Sequence, residues 1–326
     1  FPFLFITIAC GAVSGFHALI ASGTTPKMLA NESQACFIGY GGMLMESFVA
    51  IMALVAACII DPGVYFAMNS PMAVLAPAGT TDVVASAAQV VSGWGFSITP
   101  DTLHQIASEV GEQSIISRAG GAPTLAVGMA YILHGSLGGL MDVSFWYHFA
   151  ILFEALFILT AVDAGTRAAR FMLQDLLGVI SPGLKKTSSL PANLLATALC
   201  VLAWGYFLHQ GVVDPLGGIN TLWPLFGIAN QMLAGMALML CAVVLFKMKR
   251  QRYAWVALLP TSWLLICTLT AGWQKSFSPD TKVGFLAIAN KFQAMIDSGN
   301  IPPQYTESQL AQLVFNNRLD AGLTIF

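Results

Sequence analysis

The run GGMLMESFVAIMALVAACII at 41–60 leaves a helix almost no polar face, and FWYHFAILFEALFILTAV at 145–162 is built the same way. Segments like these satisfy their backbone away from water as helices in a bilayer, whose core takes roughly 20 residues. Seven segments fit that description: 1–22, 43–60, 123–140, 145–163, 193–210, 220–246 and 254–273. The third is the weakest, being Gly-rich and interrupted by His134. Hydrophobic residues make up 56% of the 326 and charged residues 9%, far from the balance of a water-soluble domain of this length. The expected fold is an all-α polytopic membrane protein with seven transmembrane helices.

Several functions are excluded early. A net charge of -2 without a basic face gives no nucleic-acid footprint. The six cysteines lie mostly singly in apolar runs, and the five histidines never approach HxxxH spacing, so neither a metal nor a haem is expected. No GxSxG, HExxH or P-loop pattern occurs. No catalytic residue and no cofactor are therefore expected, and the chain reads as something other than an enzyme.

Orientation follows from KMKRQR at 247–252, which the positive-inside rule places in the cytoplasm together with Arg167, Arg170, Lys185 and Lys186. Four regions result. Residues 1–61 hold membrane spans with a candidate broken helix, and 62–117 form a water-facing insertion in which Thr99 and Pro100 start a helix. Residues 118–274 hold further spans and an interfacial helix at 166–180, whose polar face carries Arg167, Arg170 and Gln174. Residues 275–326 form an extracytoplasmic polar tail leading to a further span. Because Phe1 already lies inside an apolar run, the first helix is expected to begin upstream.

Polar residues inside spans are costly and mark candidate sites. In CGAVSGFHALIASGTTPK, Gly11, Ser14, Gly15, Thr24 and Thr25 weaken regular helix around His17, and a break there would offer backbone N–H and C=O groups to a ligand. The same residues read equally well as a GxxxG packing face with a hydrogen-bonded interior histidine. Glu46 lies on a stripe with Gly42, Ala50, Ala53 and Ala57, and Glu154 on one with Tyr147, Ala150, Ile158 and Ala161. Glu154, nearer mid-span, is the leading candidate for carrying protons, with Glu46 and His17 in support. Asn230 and Gln231, adjacent amides at depth, either bind substrate or tie helices together. The candidate substrate set is thus Ser14, Gly15, His17, Thr24, Thr25, Asn230 and Gln231.

The stretches FPFLFITIACGAVSGFHALIASGTTPKMLANE, GYGGMLMESFVAIMALVAA, RAGGAPTLAVGMA, FWYHFAILFEALFILTAVDAGTRAARFMLQDLLG and GGINTLWPLFGIANQMLAG resemble the carbon starvation protein A (CstA) family. The resemblance covers nearly the whole chain. It implies a multi-pass transporter of the bacterial inner membrane, in the amino acid-polyamine-organocation superfamily, with a LeuT-like helical bundle built from inverted repeats. It also implies uptake of pyruvate and of small peptides when carbon is scarce, and brings no list of site residues. Proton-coupled uptake of pyruvate or another small carboxylate is the leading expectation, with di- or tripeptides second. A membrane-embedded nutrient sensor or signalling partner is the rival from another class. The partners implied are the substrate, protons, the lipid bilayer and, since family proteins are longer, an N-terminal half of the same transporter.

Overall fold

The computed structural model describes residues 1–76, 80–213, 218–302 and 305–325, except the side chains of residues 73 and 218–221. Among these residues there are helices and no strands. The chain opens with α1 (Pro2–Ala9), α2 (Gly15–Gly23) and α3 (Thr25–Met28), followed by α4 (Gln34–Ile59). Short helices come next: α5 (Pro62–Asn69), α6 (Met72–Leu75), α7 (Val83–Gly93) and α8 (Pro100–Val110). Then follow α9 (Gly121–Ser136), α10 (Val143–Ile180), α11 (Leu190–Val213), α12 (Gly218–Lys247), α13 (Trp255–Phe277), α14 (Phe285–Asp297) and α15 (Glu307–Ile325).

Five helices among the described residues are long and apolar enough to cross a membrane: α4, α10, α11, the Leu222–Lys247 part of α12, and α13. The chain is a multi-pass membrane protein. The segment expected as the first span comes as α1 and α2 with residues 10–14 between them, and the segment at 123–140 as the 16-residue α9. Helix α4 starts at Gln34, nine residues before the expected 43, so Glu46 falls at mid-helix instead of one turn from its start. Helix α10 runs unbroken for 38 residues, about 57 Å at 1.5 Å per residue, and so includes the segment expected as a separate surface helix. That exceeds a hydrocarbon core of about 30 Å, so part of α10 must tilt or leave the bilayer.

The chain divides into two compact units, one continuous (Ala30–Val162) and one discontinuous (Phe1–Leu29 with Asp163–Phe326). In the continuous unit, the short helices α5–α8 share a core with α9 and α10. Val64, Met68, Leu75, Val91, Leu103 and Val110 are fully or almost fully buried together. Three of these short helices start where side chains take up orphan backbone donors. Asp61 accepts from Gly63 N at 2.8 Å, Asp82 from Ala85 N at 3.0 Å, and Thr99 from Thr102 N at 3.2 Å, the cap expected from the sequence. Gly111 ends α8 at φ 77°, a left-handed conformation that glycine adopts without strain.

Helices α4 and α9 meet backbone to backbone. A Cβ on Gly128 would overlap the Ala56 carbonyl group. Overpacking of that kind typically costs about 1–3 kcal/mol, so Gly128→Val is expected to lower the melting temperature in detergent. Gly205→Ala inside α11, where an added Cβ has nothing within 4 Å, should not lower it, since Ala is the better helix former. Equal melting of the two variants would show that α4 and α9 do not pack this closely.

Glu109 ties α8 to α9. Tyr131 Oη donates to Glu109 Oε2 at 2.6 Å, and Gln105 Nε2 donates to Oε1 at 2.8 Å. The tyrosine bond first, and then the glutamine bond, hold the Glu109 carboxyl below its ordinary range. A depressed folded-state pKa stabilises above the unfolded value, near 4.3, and that contribution is lost as pH falls through the lowered one. Tyr131→Phe should therefore melt below wild type at pH 7, with the gap narrowing as the medium is acidified. A gap that stays constant over that range would overturn the assignment.

Candidate functional site

The discontinuous unit contains the break between α1 and α2. Helix α1 still takes in the next residues, through Cys10 N to Ile6 O (2.9 Å) and Val13 N to Ala9 O (2.8 Å). At Ser14 the backbone turns extended (φ -116°, ψ 121°), and α2 restarts at Gly15. Ser14 stands at the N-cap of α2, yet its side chain makes no capping bond to that helix. Two of the backbone groups freed by the break, the Phe16 N–H and the Val13 carbonyl, are taken up from another element.

That element is α12. Asn230 Oδ1 accepts from Phe16 N at 2.9 Å and from Ser14 Oγ at 3.3 Å. Because Oδ1 faces two donors, the amide nitrogen points the other way and donates to Cys10 Sγ at 3.3 Å. Gln231 Nε2 donates to Val13 O at 2.7 Å. One amide thus caps the second half-helix, and the next binds a carbonyl freed from the first. Both side chains are almost wholly buried, whereas Gly11, Ala12 and Val13 are exposed.

Gly15 makes the close approach possible. A Cβ there would overlap the Asn230 carbonyl oxygen and Leu233 Cβ. A turn earlier on α12, Gly227 gives room to Ile6 of α1, whose Cγ2 would lie 3.0 Å from an added Cβ. Pro224, without an N–H, already interrupts the hydrogen-bond ladder of α12 before this contact. The arrangement has two possible chemical uses. The start of α2 presents the positive end of a helix dipole, suited to a carboxylate, while amides can bind donors or acceptors of a ligand.

Of the residues expected to bind substrate, the structure brings Ser14, Gly15, Asn230 and Gln231 together. His17 follows on α2, exposed and edge-on to Phe16 at 6.2 Å between ring centroids. Thr24 and Thr25 stand at the far end of α2, about 14 Å from Gly15 along the axis. Thr24 is buried, and its Oγ1 donates to Ile20 O at 3.2 Å within its own turn. Glu154 is half-buried on α10 and Glu46 exposed on α4, both in the continuous unit. Two residues escaped sequence reasoning. Cys10 gave no signal beyond its place beside Gly11, whereas Asp320, buried on α15, was legible in the spacing of Asn316, Asn317 and Asp320 along one helix face.

A family model described as carbon starvation protein CstA matches residues 1–271. The whole chain is 95% identical to the peptide transporter CstA of Escherichia coli (strain K12), covering 46% of that protein. It is also 59% identical over its whole length to the pyruvate/proton symporter BtsT of the same strain, covering 48% of it. The peptide transporter CstA of Campylobacter jejuni is 62% identical over 84% of the chain, which covers 38% of that protein. The chain thus spans about half the length, or less, of these curated relatives. No solved structure matches it.

Removing the acceptor at Asn230 leaves the Phe16 N–H without its partner, a loss of about 1–3 kcal/mol for a buried donor. Asn230→Ala should therefore lower the melting temperature of the protein in detergent, and Asn230→Asp, which keeps the acceptor, should lower it less. If the two variants melt alike, the bond to Phe16 is not what holds the break.

Proposed function

Since the chain belongs to the carbon starvation protein CstA family, we propose that it forms part of a secondary active transporter that takes up a small carboxylate-bearing solute together with protons. The helix break closed by Asn230 and Gln231 carries this reading, because irregular backbone within a membrane protein persists only where protein or a cavity surrounds it. Broken helices of this sort line substrate sites at mid-membrane. Short peptides come first and pyruvate second, reversing the order expected from the sequence. The peptide transporter is 95% identical and the pyruvate symporter 59%.

The break also supports a LeuT-like bundle of the amino acid-polyamine-organocation superfamily. With α9 and the α1–α2 pair counted as shortened spans, the five long helices become seven. Substrate would bind against Ser14, Gly15, His17, Asn230 and Gln231, its carboxylate at the start of α2. Glu154 is the principal proton carrier in this reading, supported by Glu46 and His17. Of the two glutamates, Glu154 is the less exposed.

The test is transport by the whole protein in liposomes, using labelled dialanine and pyruvate under an imposed pH gradient. Accumulation of either supports the reading, and binding of both without flux would point to a nutrient sensor instead. Glu154→Gln keeps shape and hydrogen bonding but cannot titrate. It should abolish gradient-driven accumulation and leave exchange between equal pools partly intact. Undiminished accumulation by that variant would remove Glu154 from the proton path.

A further inference from the structure

Among the described residues, Asp320 on α15 is the only carboxylate in the buried class, 3% exposed. It shares its face of the helix with Asn316, Asn317 and Thr324. Asn317 Nδ2 donates to Leu313 O at 2.8 Å, and Thr324 Oγ1 to the Asp320 backbone carbonyl at 2.6 Å. Helix α15 packs on α12 and α13, two of the helices apolar enough to cross a membrane. Gly272 of α13 marks where the three helices meet, since an added Cβ there would be in van der Waals contact with Thr324 Cγ2 at 3.5 Å and Ile228 Cγ2 at 3.9 Å.

Buried polar groups lie on α12 and α13 between this contact and the helix break. Helices α12 and α13 meet at Gly235 against Leu265 (3.7 Å) and at Gly272 against Ile228, which fixes an antiparallel register. Gln231 and Thr268 lie between those two contacts along their helices. Gln231 Oε1 and Thr268 Oγ1 are buried oxygens without a hydrogen-bond partner among the described residues, and so is Ser276 Oγ, one turn beyond Gly272. Buried polar atoms are seldom left so, and ordered water is their usual partner. The other amide hydrogen-bonding end of Gln231 is already on Val13 O, at the break itself.

We propose that Asp320 is a proton-binding group of the transporter, connected to the α1–α2 break by water held along Ser276, Thr268 and Gln231. The inference rests on the proton-coupled reading and adds a second carboxyl to Glu154. A carboxyl donates one hydrogen bond when protonated and only accepts when ionised. Hydroxyls and amides both donate and accept, so Ser276, Thr268 and Asn317 can serve either state as the proton passes between Asp320 and water. The titratable groups on the helices packed against α15 are Cys241 and Lys247 on α12, Cys267 and Lys275 on α13, Lys291 and Asp297 on α14, and Cys200, Tyr206 and His209 on α11, which meets α15 where Gln312 Nε2 donates to Gln210 Oε1 at 3.5 Å. Lys275, next to Ser276, holds Nζ over the rings of Phe3 (4.8 Å) and Phe285 (5.7 Å), and Asp297 accepts from Gln293 Nε2 at 3.0 Å. On α15 itself, Arg318 is exposed.

The experiment compares Asp320→Asn, Asp320→Glu and Thr268→Val with wild type in liposomes carrying the whole protein, with labelled dialanine and pyruvate. Asp320→Asn is expected to lose accumulation under a pH gradient, down to the level without a gradient, while retaining exchange between equal pools. Asp320→Glu, which still titrates, should accumulate, and Thr268→Val should slow gradient-driven uptake more than exchange. The proposal falls if Asp320→Asn accumulates as well as wild type. It falls equally if that variant loses exchange to the same degree as accumulation, which would make Asp320 a packing or substrate group, or if a sodium gradient alone drives uptake. Wild-type protein that accumulates neither solute under a pH gradient brings down the transport reading and this proposal together, an outcome distinct from failure of the variants alone.

Discussion

A helix that breaks within a membrane protein must find partners for the backbone groups it frees, and here two neighbouring amides of α12 supply them. The Phe16 N–H goes to Asn230 and the Val13 carbonyl to Gln231. An orphan backbone group in hydrocarbon costs several kcal/mol, so the break can exist only where α12 lies against it. That requirement explains the glycine at 15, since any side chain there would push α2 off the backbone at Asn230. It also limits how tightly the break is held. A neutral hydrogen bond contributes only about 0.5–1.5 kcal/mol net, so a ligand that offered equivalent donors and acceptors could replace these at little cost. The break is closed, but by groups that also hydrogen-bond readily to other partners.

The continuous unit solves a different problem. Its short helices α5 to α8 could not persist alone, since helices below about 12–15 residues are marginal in water. They persist through caps at Asp61, Asp82 and Thr99 and through a shared core from Val64 to Val110. Helix α4 shows the opposite pattern: only 6% of its most apolar window is buried, against 33% for α12 and α13. Phe37, Leu44, Phe48 and Leu54 stand exposed along it, as suits a helix whose solvent is lipid. Both kinds of packing occur within one unit because the short helices are held by burial against one another, whereas a span is held by its surroundings and by close contacts such as Gly128 on Ala56.

Much of this was legible in the sequence, and for identifiable reasons. Hydropathy marks long apolar helices directly, and Thr99-Pro100 announced the start of α8 because capping is a local interaction. Gly15, Asn230 and Gln231 stood out individually because amides and flexible residues are expensive in a span. Their meeting across more than 200 residues could not be read, since nothing local encodes which helix a polar group will face. Helix limits also escaped. Gln34–Gly42 extend α4 although Gln34, Gly39, Gly41 and Gly42 interrupt the apolar run there, and α10 continues past Asp163 and Arg167, which pair at 2.8 Å one turn apart and so support the helix where charge had suggested an end.

Hydropathy therefore marks the parts of this molecule that suit lipid more clearly than the parts where polar groups join helices. The elements that fall short of a simple span, the α1–α2 pair, α9 and α15, do so because they carry glycine, hydroxyl, amide or acidic residues. Those residues make specific contacts: Gly15 closely on α12, Gly128 closely on α4, and Thr324 of α15 facing Gly272 of α13. An apolar side chain in a bilayer gains little by exchanging lipid for another helix, so helix association has to come from close backbone approach and from polar groups seeking partners. The residues that lower the hydropathy of a segment are thus the ones that fix its neighbours. In a chain of this kind, weakness as a span is itself a pointer to where helices meet and where a solute or proton could be handled.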